Sequence, residues 1–396
     1  MEELVRRKSI LTEEYNSLFE KNRTNFELIN DKAKEIEIIT NKLIDMHPYY
    51  KPLPNHETIN FKNIQSLLGE KEVFYQYIVT PMTVITLLIT KESIELKTKL
   101  ISLDSEDIIE LSKQFSYLIQ DDDNHDKEIE NLTHNISRAI ADELINHIKL
   151  KEISRVYLMQ DFKMGLFPIL ITNIDDSYII DRVESIINII DYTLIGDKHS
   201  LEKDFFSVAN RIIGKPTDIS LKTINEWLIT KKDNDFIVLD NNSDDTSNLS
   251  ELASSDYVNT VIVYGHGVTD PKASPIDGAQ GIEGQKGLIR LDEIVNKLQN
   301  VENLILISCR GGSPYSESPE NSTGTWANML EGFNGNIISC KWDVPTKSSV
   351  FIVDEIINQI KHKKVSIDKA VINAQKKAKL KYDNPMYWAG IEFWKN

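Results

Sequence analysis

The stretch VIVYGHGVTD, Val261 to Asp270, decides how this chain is read. Its first half is an apolar run rich in β-branched residues, the composition of a strand buried on both faces. His266 follows at once, with Gly267 beside it. A second run, LILIS at Leu304 to Ser308, ends the same way on Cys309, followed by Arg310, Gly311 and Gly312. Working outward, VYLMQ (Val156 to Gln160), FIVLD (Phe236 to Asp240) and NIISCKW (Asn336 to Trp342) are further short buried runs. Between some of them lie segments of helical spacing, LDEIVNKL from Leu291 and SSVFIVDEIINQIKH from Ser348. This alternation predicts βαβ units and a largely parallel sheet covered by helices on both faces. In such sheets ligands sit outside the carboxyl ends of the strands, which is where His266 and Cys309 fall.

Upstream the texture differs. EVFYQYIVT (Glu72 to Thr80), TVITLLIT (Thr83 to Thr90) and IELKTKLI (Ile94 to Ile101) read as a meander of three strands. Residues 105–150 have helical spacing around the acidic break QDDDNHDKE. Asp121, Asp122, Asp123 and His125 in that break are metal-capable, but they lack the spacing of a ligand set, so a solvated loop and no metal are expected. Residues 1–46 carry apolar positions at helical intervals, and HPYYKPLPNHE, His47 to Glu57, breaks that pattern as a linker.

Composition narrows the function classes. The 396 residues, 41% apolar and 27% charged, are those of a soluble globular chain with room for two or three packed units. No apolar run approaches the roughly 18 residues of a membrane span, and the start has no signal-peptide pattern, so the cytoplasm is the expected compartment. There Cys309 and Cys340 are expected as thiols rather than a disulfide. With 45 basic against 61 acidic residues, the formal net charge of −16 repels phosphate backbones and favours peptides rich in Lys or Arg. Nucleic acid and membrane are therefore not expected as partners.

A cysteine becomes a nucleophile as its thiolate, and a neighbouring imidazole is the common means of producing one near neutral pH. His266 and Cys309, ending two strands one helical crossover apart, would meet at one sheet edge. Gly267 and the Gly311-Gly312 pair let backbone approach a substrate carbonyl, and the N–H groups of Gly267 and Cys309 are the candidates for an oxyanion hole. Cys340, inside an apolar run, reads as a small core residue. His47, His56, His125, His134, His147, His199 and His362 fall in loops or helices with no matching nucleophile and read as surface residues. No Gly-x-Ser-x-Gly elbow and no phosphate-binding Gly-Lys-Ser/Thr loop occurs.

YGHG followed by LILISCRGG resembles the histidine-glycine and alanine- or serine-cysteine pattern of caspase-like cysteine proteases, and the C-terminal half resembles their bacterial CHAT branch, related to caspases and separase. GTWANMLEGFNGNIISCKWDV, VYLMQDFKMGLFPILI and the closing NPMYWAGIEFW resemble further family segments, so that the likeness extends over residues 57–396. The resemblance implies an α/β, caspase-like fold with a mostly parallel sheet flanked by helices. It implies a degenerate half at 57–200, an active half at 201–396, and a helical segment with its linker at 1–56 in place of the family's sensor repeats. Cys309 matches the family's nucleophile and His266 its general acid and base, with Gly267 at the oxyanion hole. Asp343 matches an acidic residue that receives a basic side chain preceding the cut. As an alternative, Asp343 could cap the helix ahead, a role for which Thr346 or Ser348 is better placed. The family often carries a second acidic residue where this chain has Thr346-Lys347.

The function expected is therefore a cysteine endopeptidase with a protein or peptide substrate and no cofactor. It would cut after a basic residue, be activated by a sensor partner, and act in bacterial defence or programmed death. The loops Gly267 to Gly287 and Gly311 to Gly324, rich in Gly, Pro, Ser and Asn, are expected to be mobile and to order when the site is engaged. A different class, an idle caspase-like module that binds a partner through its groove, is the alternative.

Overall fold

The computed structural model describes residues 61–80, 83–100, 108–119, 126–161, 167–189, 192–196, 208–212, 219–230, 236–238, 258–269, 280–283, 288–298, 301–308 and 335–395. Arg7, Leu11, Glu35, Ile38, Ile39, Lys42, Met164 and Phe333 complete the set. Most of the segment 1–46, all of the linker, Asp121, Asp122, Asp123 and His125 lie outside it. Within the N-terminal segment, Arg7 pairs with Glu35 at 2.8 Å, while Leu11 and Ile39 are buried.

Helix α1 (Phe61–Leu67) leads into β1 (Glu72–Val79), β2 (Thr83–Thr90) and β3 (Ile94–Leu100), the expected antiparallel meander. Three helices follow, α2 (Ile108–Ile119), α3 (Asp126–Ile140) and α4 (Asp142–Leu150), and then β4 (Arg155–Met159). A hairpin of β5 (Asn173–Ile174) and β6 (Ser177–Tyr178) precedes β7 (Ser185–Ile189). The second part of the chain runs β8 (Val208–Ile212), α5 (Ile219–Thr230), β9 (Phe236–Val238), β10 (Thr260–Gly265), β11 (Gly267–Thr269), β12 (Gln280–Glu283) and β13 (Leu288–Arg290). It closes with α6 (Leu291–Lys297), β14 (Asn303–Ser308), β15 (Asn336–Cys340), α7 (Thr346–Lys363), α8 (Ile367–Lys381) and β16 (Ile391–Lys395).

Eleven strands form one sheet in the order β3-β2-β1-β4-β7-β16-β15-β14-β10-β8-β9. Seven of its ten strand pairings are parallel, and the antiparallel ones are β1 with β2, β2 with β3, and β15 with β16. The apolar runs explain why the middle is covered on both sides. Along β10, Ile262 and Tyr264 belong to one core and Val261 and Val263 to the other; along β14, Ile305 and Ile307 face opposite to Leu304 and Leu306. Side chains alternate across a strand, so an uninterrupted apolar run satisfies two cores at once. Ile352, Val353 and Ile356 of α7 with Ala370 and Val371 of α8 close one face, and Leu291, Ile294 and Val295 of α6 close the other. Each fully buried Val, Ile or Leu contributes about 1.5–3 kcal/mol relative to exposure.

Two polar networks tie the amino ends of the parallel strands. Arg155, opening β4, donates from Nη1 to Glu72 Oε1 of β1 at 2.8 Å and from Nε and Nη2 to Asp368 Oδ2 of α8 at 3.1 and 3.0 Å. Ser185, opening β7, donates to the same Asp368 oxygen at 2.6 Å. In the other part, Thr260, Asn303 and Asn336 open β10, β14 and β15 in register. Asn303 Nδ2 donates to Thr260 Oγ1 at 3.1 Å, and Asn336 Nδ2 to Asn303 Oδ1 at 2.9 Å.

Two expectations change. Gly267–Thr269 and Gln280–Glu283, expected within a loop, pair with each other and with β13 as a three-stranded antiparallel sheet. Extended backbone at Val268, Thr269 and Ile282 suits the ladder, while the Gly and Pro of the intervening segment set the composition of the whole stretch. Helix α7 is not capped by Thr346 or Ser348. Its N-cap is Pro345, Thr346 is already helical, and the Ser348 hydroxyl donates back to the Pro345 carbonyl at 2.9 Å. Proline's fixed φ suits the entry to a helix, and its missing N–H costs nothing there.

Candidate active site

The last pairing of β10 with β14 joins Gly265 to Ser308, which ends β14. His266 begins where that pairing stops. Its carbonyl accepts a 2.8 Å hydrogen bond from the Glu283 backbone N–H, and the next residue, Gly267, enters β11 opposite Ile282. The backbone of His266 is thereby held between the large sheet and the small one, and the residue is half-buried, as is Gly267. Cys309 follows Ser308 in the chain and lies outside the described residues, as does the segment Gly311 to Gly324.

On the other side of β14 runs β15, parallel to it from the Asn303–Asn336 pair onward. Past its end the chain places Lys341 and Trp342 inside and Asp343 outside, exposed, three residues before α7 begins. The strand that leads to Cys309 therefore runs between the strand that leads to His266 and the strand that leads to Asp343. All three sequence-derived positions follow carboxyl ends of neighbouring parallel strands. Cys340, read as a core residue, is 2% exposed and belongs to the larger core. His134 and His362 are exposed, as expected, whereas His147 is half-buried and burial lowers its pKa.

A group that sequence reasoning passed over lies beside Asp343. Lys341 is 1% exposed, and its Nζ pairs with Glu392 Oε1 of β16 at 2.7 Å. It also donates to Gln160 Oε1 at 3.2 Å and to the Phe167 carbonyl at 3.3 Å. Gln160 Nε2 in turn donates to Glu392 Oε2 at 3.4 Å. Burial depresses the Lys341 pKa because the apolar surroundings penalise the ammonium, and Glu392 works against that. Trp342 is wedged behind it: the indole Nε1 donates to the Met386 carbonyl at 3.0 Å, and Phe115 of α2 meets the ring edge-on at 6.4 Å. A Cβ on Gly390 would stand 2.6 Å from the Trp342 ring, so only glycine admits the indole there. The sequence held a signal for this group: a lysine interrupts the run NIISCKW just past β15 and a glutamate interrupts IEFW of β16, opposite charges in two mostly apolar runs.

Further polar groups gather at the same edge. The hydroxyls of Ser308 and Ser339 are buried without a hydrogen-bond partner among the described residues. Among the described residues no three His, Cys, Asp or Glu side chains gather as a metal site, and no helix is long and apolar enough to cross a membrane.

The family model of the CHAT domain matches residues 139–393, from within α3 to within β16, and so takes in the ends of β10, β14 and β15. Two crystal structures of the separase–securin complex of Saccharomyces cerevisiae are similar to this chain, with TM-scores of 0.56 at 10% identity and 0.50 at 11% identity. Each likeness covers 85% of this chain, which spans only 30% and 31% of the separase-complex chains matched. No curated protein matches. At such identities the likeness concerns the fold: the large, mostly parallel sheet flanked by helices is the caspase-like architecture of those structures.

Proposed function

This chain belongs to the CHAT domain family, and from that premise we propose that it is a cysteine endopeptidase with Cys309 as nucleophile and His266 as general acid and base. The observation that carries the reading is the pairing of Gly265 with Ser308, which sets the residues preceding His266 and Cys309 opposite one another on neighbouring parallel strands. In the reaction, His266 takes the Cys309 thiol proton and the sulfur bonds to the scissile carbonyl carbon. Backbone N–H groups of Gly267 and Cys309 hold the oxyanion. Collapse of the adduct breaks the C–N bond, and His266 returns the proton to the leaving amine. A water then gives its proton to His266 and its oxygen to the acyl carbon, which releases the acid and restores the thiol.

Asp343 is the proposed acceptor of an Arg or Lys side chain before the cut. Its exposure past β15 leaves it within reach of a substrate, and the net charge of −16 favours basic peptides. The division into a degenerate half at 57–200 and an active half at 201–396 is part of the same reading. It is supported by the sheet order, in which β1–β4 and β7 stand on one side and β8–β10 and β14–β16 on the other, joined through β7 and β16. Activation by a partner, cytoplasmic residence and service in bacterial defence or programmed death rest on the family resemblance.

The test is cleavage of a peptide library by the wild-type chain and two variants. The wild type is expected to cut after Arg or Lys, Cys309→Ala to cut nothing, and His266→Ala to be slower by about 10²–10⁴. Undiminished cleavage by Cys309→Ala would remove the assignment. Full-rate cleavage by the isolated chain would remove the activating partner.

A further inference from the structure

The Lys341 ammonium is buried where the two parts of the chain meet. Its acceptors come from both: Gln160, just past β4, and the Phe167 carbonyl on one side, and Glu392 of β16 on the other. Buried charge pairs add little net stability, because desolvation offsets most of the attraction, but they hold groups to one geometry. Here the geometry held is that of a strand end. Lys341 is anchored through its side chain and through its backbone N–H, which donates to the Gly390 carbonyl at 2.7 Å. Trp342 is caught between Phe115 and Gly390, and its carbonyl accepts from the Val344 N–H at 2.9 Å. Between these fixed points only Asp343 is turned outward.

We propose that Lys341 and Glu392 are positioning residues for substrate selection: their buried pair, fastened to Gln160 and Phe167, fixes the Trp342–Val344 turn and so aims Asp343 at the basic side chain that precedes the cut. The proposal rests on the reading of Asp343 as the pocket acid. It assigns the first part of the chain a share in specificity, since two of the three partners of Lys341 lie there. Among the described residues the pair bonds to Gln160 and the Phe167 carbonyl, so removing it is expected to leave the chemistry at Cys309 unchanged.

The test uses Lys341→Met combined with Glu392→Gln, which removes both charges together and leaves an amide to meet Gln160. The double variant is expected to melt cooperatively and to react with iodoacetamide at Cys309 at the wild-type rate. Its KM for an arginine peptide should rise about tenfold with kcat within about twofold, and its preference for arginine over alanine before the cut should fall by the same factor. Hydrogen exchange reads the lock separately: amides of residues 341–344 should exchange at least about tenfold faster while those of β14 keep their rates. Unchanged exchange at 341–344 overturns the lock, whatever Asp343 does. Faster exchange with an intact arginine preference overturns its role in selection. Should Asp343→Asn in the otherwise wild-type chain leave the preference intact, the pocket reading itself fails, and the specificity proposal falls with it.

Discussion

The two ends of the parallel strands are built differently. At the amino ends, polar side chains close on one another: Arg155 joins Glu72 and Asp368, Ser185 joins Asp368, and Thr260, Asn303 and Asn336 form a ladder across three strands. At the carboxyl ends of β10, β14 and β15 the polar groups are of another kind. Ser308 and Ser339 bury hydroxyls without partners among the described residues, His266 is half-buried at the end of its strand, and Asp343 faces solvent. Even the Lys341 pair holds a turn rather than a sheet edge. A polar network that bridges neighbouring strands at one end fixes them, and at the other end β10, β14 and β15 carry groups placed where the proposed substrate would lie.

The largest effect on this contrast is expected from Asp368→Ala. Asp368 is fully buried, and its loss leaves the Arg155 guanidinium with Glu72 alone, at a cost of about 3–5 kcal/mol. Urea unfolding should register that loss, while kcat/KM of the folded fraction stays at the wild-type value because Asp368 bonds β4 and β7 and not the strands that lead to His266 and Cys309. A comparable loss of kcat/KM in folded protein would break the contrast.

Alkaline titration sharpens it. Burial pushes the phenol of Tyr157, over which Arg155 lies, up to about 12, and raises those of Tyr75, Tyr77 and Tyr264 well above their ordinary value. A folded pKa above the unfolded one means stability that is whole below about pH 10 and lost as pH rises through the folded value, for Tyr157 about 2–3 kcal/mol. The urea midpoint should therefore fall between pH 10 and 12, and Tyr157→Phe should fall less steeply. Equal slopes would contradict the assignment.

The smallest effects compare two buried polar residues of one strand. Asn303→Ala, opening β14, leaves Thr260 and Asn336 without their shared partner and should cost about 1–2 kcal/mol. Ser308→Ala, closing β14, removes a hydroxyl that has no partner among the described residues and should change stability by less than about 0.5 kcal/mol. Equal costs would erase the distinction between the two ends.

Much of this architecture is written locally. β10 and β14 are legible because a strand buried on both faces must be apolar throughout, and β1 to β3 because short breaks separate three runs of β-prone residues. His266 is legible for a related reason, since a polar residue that ends such a run must lie at a sheet edge. The small sheet of β11 to β13 is hidden by the Gly and Pro around it. Lys341 and Glu392 are hidden by distance, because each alone looks like an error in an apolar run and only their meeting makes sense of both. The Pro345 cap was missed because hydroxyl residues nearby offered a more familiar signal.

The central claim is that His266 activates Cys309. Alkylation of Cys309 by iodoacetamide, followed against pH by peptide mapping in the wild type and in His266→Ala, tests it most directly, with buried Cys340 as the unreactive internal reference. The wild type should react with a midpoint well below the ordinary thiol value of about 8.5, and His266→Ala should return to it. Coincident profiles for the two proteins would contradict the account.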